Sequence, residues 1–159
     1  MDQLSNMAQS VAALLKERGQ TVAVSESAAG GLISAALLSI PGASAYFVGG
    51  GVIYTRDARA AILGYTGDQI TQRGATEDYA LQCARTIRDK LGTDWGIGES
   101  GASGPSGNRY GDDAGHVALA VAGPTEMTRT VETGSDARED NMWAFAAAAL
   151  ELLEAAVKE

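Results

Sequence analysis

At 159 residues with one cysteine and one histidine, the chain is sized for a single domain spanning 1–159, without an internal disulfide and with few zinc ligands. Its formal charge of −8 argues against a broad nucleic-acid footprint, which needs clustered lysine and arginine. A composition of 45% hydrophobic and 20% charged residues is that of a globular protein, and no apolar run approaches the ~18 residues of a membrane span.

Leu4, Met7, Val11, Leu14 and Leu15 recur at helical spacing, and Gly19 follows as a C-terminal stop. Thr21 to Val24 reads as a short β-branched strand. A second helix follows Gly30, with Leu32, Ile33, Ala36, Leu37 and Ile40 as its apolar face and Pro41-Gly42 as its end. Ala45 to Tyr54 is strand-like, but Gly49-Gly50-Gly51 predicts a bend or a close backbone approach, and makes self-association as a homo-oligomer plausible. A short helix from about Asp57 to Leu63 stops at Gly64. Thr76-Glu77-Asp78 then caps a helix marked by Ala80, Cys83, Ala84, Ile87 and Leu91, with Cys83 in the core.

Trp95 to Gly98 predicts a short buried strand. Glu99 to Gly115 is rich in Gly, Ser and Asp and too long for an idle connection, so it predicts a binding loop. His116 to Ala122 is a continuous apolar strand, as in a sheet covered on both faces. Thr128 to Glu132 alternates as a half-exposed strand, and a final helix runs from about Asp136 to Lys158. This order implies an α/β fold: a three-layer α/β/α sandwich around a mostly parallel or mixed sheet. The opening Met1-Asp2-Gln3 carries no basic segment with an apolar core, so the cytoplasm is the expected compartment, with no membrane association.

The segment Ser25-Glu26-Ser27-Ala28-Ala29-Gly30-Gly31 falls at the first strand-to-helix turn. A helix start offers unpaired N–H groups and the positive end of the dipole, so an anion or developing oxyanion is favoured there. A serine on such a turn can also present its hydroxyl at the carboxyl end of the sheet. The plain alternative is a serine N-cap followed by glycines for a tight turn.

Four stretches taken together resemble one family, the carboxy-terminal domain of the competence/damage-inducible protein CinA. They are Glu26-Ser27-Ala28-Ala29-Gly30-Gly31; Pro41-Gly42-Ala43-Ser44-Ala45 with Val52-Ile53-Tyr54-Thr55 after it; Ser100-Gly101-Ala102-Ser103-Gly104-Pro105-Ser106-Gly107; and Gly134-Ser135-Asp136-Ala137-Arg138. The resemblance implies a metal-free, cofactor-free amidohydrolase that converts the carboxamide of nicotinamide mononucleotide to the acid and ammonia. It implies Ser27 as nucleophile, with Tyr54 and Arg59 as the other catalytic positions. Glu26, Gly30, Gly31, Ser103, Gly104, Arg109 and Arg138 are the expected substrate-binding set, the two arginines as candidates for the nucleotide phosphate.

Three of the departures from the family pattern bear on the chemistry. Where the family has Cys-Thr after the serine, this chain has Ala28-Ala29, and Arg59 stands where the family has lysine. A buried lysine can accept a proton, but an arginine with pKa above about 12 cannot. Glu26, next to Ser27 on a strand, points to the opposite face and suits a buried acceptor better than a base. N–H groups around Ala29 to Gly31 are candidate oxyanion or phosphate donors. His116 has a suitable pKa but starts a strand beyond the glycine loop, which favours a structural role. Asp112 and Asp113 read as a solvated turn. Three functions stay open at this point: an amidase with a rearranged base, a family member that binds a nucleotide or another small ligand without turnover, and a structural interaction domain whose glycine-rich segments pack against a partner subunit.

Overall fold

The computed structural model describes residues 2–159. Five strands form one sheet: β1 (Val22–Glu26), β2 (Phe47–Val52), β3 (Trp95–Ala102), β4 (His116–Ala122) and β5 (Met127–Glu132), in the order β2-β1-β3-β4-β5. β1 pairs in parallel with β2 and β3, whereas β4 runs antiparallel to both β3 and β5. Helices α1 (Gln3–Arg18), α2 (Leu32–Leu38) and α6 (Arg138–Lys158) cover one face; α3 (Arg56–Ala61), α4 (Asp68–Thr71) and α5 (Glu77–Leu91) cover the other. The architecture is the expected three-layer sandwich, with a mixed sheet.

Local chemistry sets the element ends. Gly19 and Gly92 close α1 and α5 in the left-handed conformation. The hydroxyls of Thr55 and Thr76 accept from the N–H groups of Ala58 and Tyr79, each at 3.1 Å, and start α3 and α5.

Several boundaries differ from those expected. β1 continues two residues past Val24 and β3 four past Gly98, so Ser25, Glu26, Glu99 and Ser100 are strand residues rather than turn or loop. Buried hydrogen-bond partners compensate the polarity of Glu26, Glu99 and Ser100. β2 runs straight through Gly49–Gly51 instead of bending. A Cβ on Gly50 would lie 3.0 Å from the Val24 carbonyl oxygen and 2.8 Å from Ser34 Oγ, so the glycine serves a close backbone approach. The register shift falls instead between Val22 and Ala23. The four-residue α4 lacks the periodicity that announces a longer helix. Among the described residues, no helix is long and apolar enough to cross a membrane.

The contact that orients α5 is made of backbone. A Cβ on Gly98 would lie 1.9 Å from the Ala80 carbonyl oxygen, and one on Gly96 2.1 Å from that of Ala84. The helix therefore rests directly on β3, and Gly98→Ala must push it away. We expect Gly98→Ala to lower stability by about 2–3 kcal/mol, read from chemical denaturation. The control Gly19→Ala has an open Cβ position and a left-handed φ of 63°, and carries only left-handed strain, ~1 kcal/mol.

Candidate active site

The turn after β1 is built on two buried carboxylates. Glu26 and Glu99 stand on neighbouring parallel strands, one residue beyond the paired Ser25 and Gly98, and share a face with Val24 and Ile97. Glu26 accepts from the N–H groups of Gly31, Ile33 and Ser34 at 2.9–3.1 Å and from the Ser34 hydroxyl at 2.8 Å. Glu99 Oε1 accepts from the N–H groups of Ser27 and Ala29, both at 2.9 Å. Gly30 N–H donates to the Ser27 carbonyl. The amides of Ala29, Gly30 and Gly31, candidates for holding a ligand's anion, are thus bound within the protein. Glu26 caps α2 as the buried acceptor its strand position implied. Burial pushes the Glu99 carboxyl up to about 7, against the two amides and helped by the charge of Glu26.

Ser27 itself is half-buried and its surroundings lie on the opposite face of the sheet. It lines a cavity of about 330 Å³ together with Tyr54, Arg59, Ser100, Arg109 and Tyr110. A second cavity of about 220 Å³ adjoins it, sharing Tyr54 and Asn108 and lined by Ser103, Gly104 and Arg138. The fold therefore brings Ser27, Tyr54, Arg59 and Arg109 into one cavity and Tyr54, Ser103, Gly104 and Arg138 into the next. Glu26, Gly30 and Gly31 sit behind the turn and line neither. Arg138 bridges the walls, donating to the Gly104 carbonyl at 2.5 Å and to the Tyr54 hydroxyl at 3.2 Å.

Arg59 is fixed rather than free. Its Nη1 donates to the carbonyls of Ile70 and Gln72 at 3.0 and 2.6 Å, and its guanidinium lies 4.2 Å from the Tyr79 ring centroid. It presents a permanent positive charge beside the serine. Tyr110 is bracketed by arginines: Arg109 donates to its hydroxyl at 3.1 Å, and the guanidiniums of Arg73 and Arg109 lie 5.4 and 5.2 Å from its ring. Burial would raise its phenol, but the hydrogen bonds and charges of Arg109 and Arg56 outweigh that and lower its pKa.

Ala75, on the cavity wall, holds a left-handed φ of 56°, which costs a non-glycine residue about 1 kcal/mol. Two hydrogen bonds keep it there: its N–H donates to Ser100 Oγ at 2.9 Å and its carbonyl accepts from His116 Nε2 at 2.7 Å. His116 Nδ1 meets Glu132, and Asp112 stands 3.8 Å from Nε2. Both ring nitrogens face acceptors, so the ring is a cationic staple. Asp112 is correspondingly more than a solvated turn. It accepts from Arg73 at 3.0 Å and from Asn108 at 2.8 Å, tying the glycine-rich loop to the wall. Asp113 is exposed, as expected of a solvated turn, and only its backbone carbonyl is engaged, accepting from the His116 N–H at 3.1 Å.

Sequence reasoning missed Glu99, Tyr110 and Asn141. Buried Asn141 donates to the carbonyls of Ser103 and Ser135 at 2.8 and 2.9 Å and so fixes the second cavity. Its place four residues before Phe145, on the apolar face of α6, was the available signal. Among the described residues, no cluster of three or more His, Cys, Asp or Glu is placed to hold a metal ion.

A family model described as the CinA C-terminal domain matches residues 4–157. The chain is 42% identical over 120 residues to a CinA-like protein of Prochlorococcus marinus, covering 75% of this chain and 28% of that one. It is 39% identical over 138 residues to a CinA-like protein of Gloeobacter violaceus, covering 86% and 32%. It spans roughly a third of the length of these curated relatives. Among solved structures, the competence/damage inducible protein CihA from Agrobacterium tumefaciens superposes with a TM-score of 0.88 at 29% identity, covering 99% of this chain and 96% of that one. A competence or damage-inducible protein from Enterobacter asburiae gives 0.87 at 28% identity, covering 97% and 98%.

The His116 staple predicts a pH dependence of stability. Burial opposes the ring's charge, but Glu132, the Ala75 carbonyl and Asp112 outweigh it and raise the pKa. The stabilisation is complete below the ordinary value of about 6.5 and is lost as pH rises through the folded-state value. The gap in denaturation midpoint between wild type and His116→Gln should be widest below pH ~6.5 and narrow above it. A gap that does not change with pH would count against the cationic ring.

Proposed function

The chain belongs to the CinA C-terminal domain family, and we propose that it hydrolyses the carboxamide of a phosphorylated pyridine nucleotide, nicotinamide mononucleotide or a close relative. The observation that carries this reading is Ser27 opening onto a cavity rimmed by Arg56, Arg59 and Arg109, continuous through Tyr54 with a second cavity held by Arg138. A serine beside fixed cations suits an acyl transfer in which negative charge develops on a carbonyl oxygen. The second cavity offers a guanidinium to a phosphate at a distance from the reacting bond.

In this reading Ser27 Oγ adds to the amide carbon and its proton passes to a base. The tetrahedral oxyanion then expels ammonia, which takes up a proton as the C–N bond breaks, and water cleaves the resulting ester to release the acid. Arg59 does not accept the serine proton, because a guanidinium stays protonated. Tyr110, whose phenol is acidified by its arginines, is the cavity side chain best suited to that role. With the amides of the turn occupied, the oxyanion donors are side chains: Arg59, the Tyr54 hydroxyl and the Ser100 hydroxyl, all on the cavity wall.

One observation favours a second reading, ligand binding without turnover: Arg59 Nη1 is committed to two backbone carbonyls, and no carboxylate or histidine lines the first cavity among the described residues. Ammonia release from nicotinamide mononucleotide separates the two. Turnover that drops about a thousandfold or more in Ser27→Ala supports the amidase. A thermal shift equivalent to about 2.7 kcal/mol at a hundred times the dissociation constant, with no serine-dependent ammonia, supports the binder. For an active enzyme, Arg138→Gln should raise KM about tenfold, since it removes a charge-assisted contact to the phosphate, and should lower kcat by a smaller factor, through its hydrogen bond to the Tyr54 hydroxyl.

A further inference from the structure

We infer that Glu99 is the positioning residue for Ser27: its carboxylate grips the N–H groups of Ser27 and Ala29 from behind the sheet and so aims the serine hydroxyl into the cavity. The inference rests on the reading of Ser27 as nucleophile. Its geometry stands independently of that reading. Glu99 is 3% exposed, on β3, and one oxygen accepts from both amides at 2.9 Å. The other oxygen, Oε2, is buried with no hydrogen-bond partner among the described residues. A buried carboxyl with one idle oxygen is costly for a protein that needs only a hydrophobic filler there. The two amides it holds flank Ala28 and belong to the residues that fix the serine's backbone. Glu99 does not line the cavity, so it acts through the turn.

The surroundings make this grip titratable. Among the described residues, the charged group facing Glu99 is Glu26, its neighbour on β1. Its partner on β4 is Leu119. α2 carries no ionisable side chain, and the buried faces of α1 and α6 consist of apolar residues and Asn141. Burial and Glu26 together favour the neutral form, while the two amides favour the charged one. Ionisation strengthens the hold on both N–H groups, because a carboxylate is a stronger acceptor than a neutral acid. The turn should therefore tighten, and serine-dependent turnover rise, as pH increases through neutrality.

The test uses the full chain and two readouts. In NMR titrations from about pH 5.5 to about 8.5, the Ser27 and Ala29 amide resonances and the Glu99 side-chain carboxyl carbon should move together with one midpoint at about 7. In Glu99→Gln the two amides should stay flat over the same range. In the ammonia assay, wild-type kcat/KM should rise through that midpoint. Glu99→Gln should lose this ionisation and about tenfold in kcat, with KM little changed. The NMR arm needs no turnover: Ser27→Ala should keep the amide titration at position 29 while losing activity. Wild type without serine-dependent ammonia, yet with the coupled titration, removes the amidase reading and leaves the grip in place. The inference is overturned if the carboxyl and the amides titrate apart, if the amides titrate equally in Glu99→Gln, or if an active Glu99→Gln keeps the wild-type pH profile. Should Glu99→Gln fail to fold, the common or separate midpoint in wild type still decides.

Discussion

Two carboxylates inside a protein, one strand apart, are an expensive arrangement unless something nearby is strongly positive. Among the described residues, no lysine or arginine hydrogen-bonds to them; the compensation comes from backbone. The free N–H groups at the start of α2 converge on Glu26, and those of the preceding turn converge on Glu99. A helix start is by nature an anion site, and this one is filled by the protein's own side chains. The arrangement fixes the path of residues 27–31, seats α2 on the sheet, and leaves the serine to face a cavity on the opposite side. It also means that any external anion must be met by guanidinium groups instead of amides, and guanidiniums are what the cavity walls offer.

Those walls owe their shape to contacts with little room for adjustment. α5 lies on glycine backbone of β3, Ala75 is held in a left-handed conformation between Ser100 and His116, and Asn141 fastens two loops to the first turn of α6. None of these is a hydrophobic contact, although each sits against the apolar core. Close packing places the layers to within a methyl group, and directional hydrogen bonds then specify where the loops of the site run.

Much of this fold is legible in the sequence because its hydrophobic periodicity and end signals are strong. Gly19, Thr76 and the apolar run 116–122 mark their elements plainly, and the family motifs lead to Ser27, Tyr54, Arg59 and Arg138, which the fold does gather around two adjoining cavities. The departures share a physical cause. Ser25, Glu26, Glu99 and Ser100 look like turn and loop because polar residues usually leave a strand, yet Trp95, Ile97 and Glu99 keep the two-residue alternation of a buried face. A polar residue continuing an apolar pattern is a buried polar group with a partner, and that rule points to both Glu99 and Asn141. The partners themselves, Ser27 and Ala29 amides for one and Ser103 and Ser135 carbonyls for the other, are tertiary facts that no local spacing carries. Gly49–Gly51 leave a bend and a close approach equally open, because glycine marks either, and the structure takes the close approach at Gly50.

The distribution of charge has a kinetic side. The chain is acidic overall, at −8, while Arg56, Arg59, Arg109 and Arg138 are gathered on the linings of two adjoining hollows. On the proposed reading, an approaching anion meets a net-negative protein whose guanidiniums are gathered at these two hollows, which favours encounter there. Such guidance acts over about a Debye length, ~8 Å at physiological ionic strength. On the proposed reading, capture of a phosphorylated substrate is thus a property of the long-range field as much as of contacts, and added salt slows arrival before it weakens the hold.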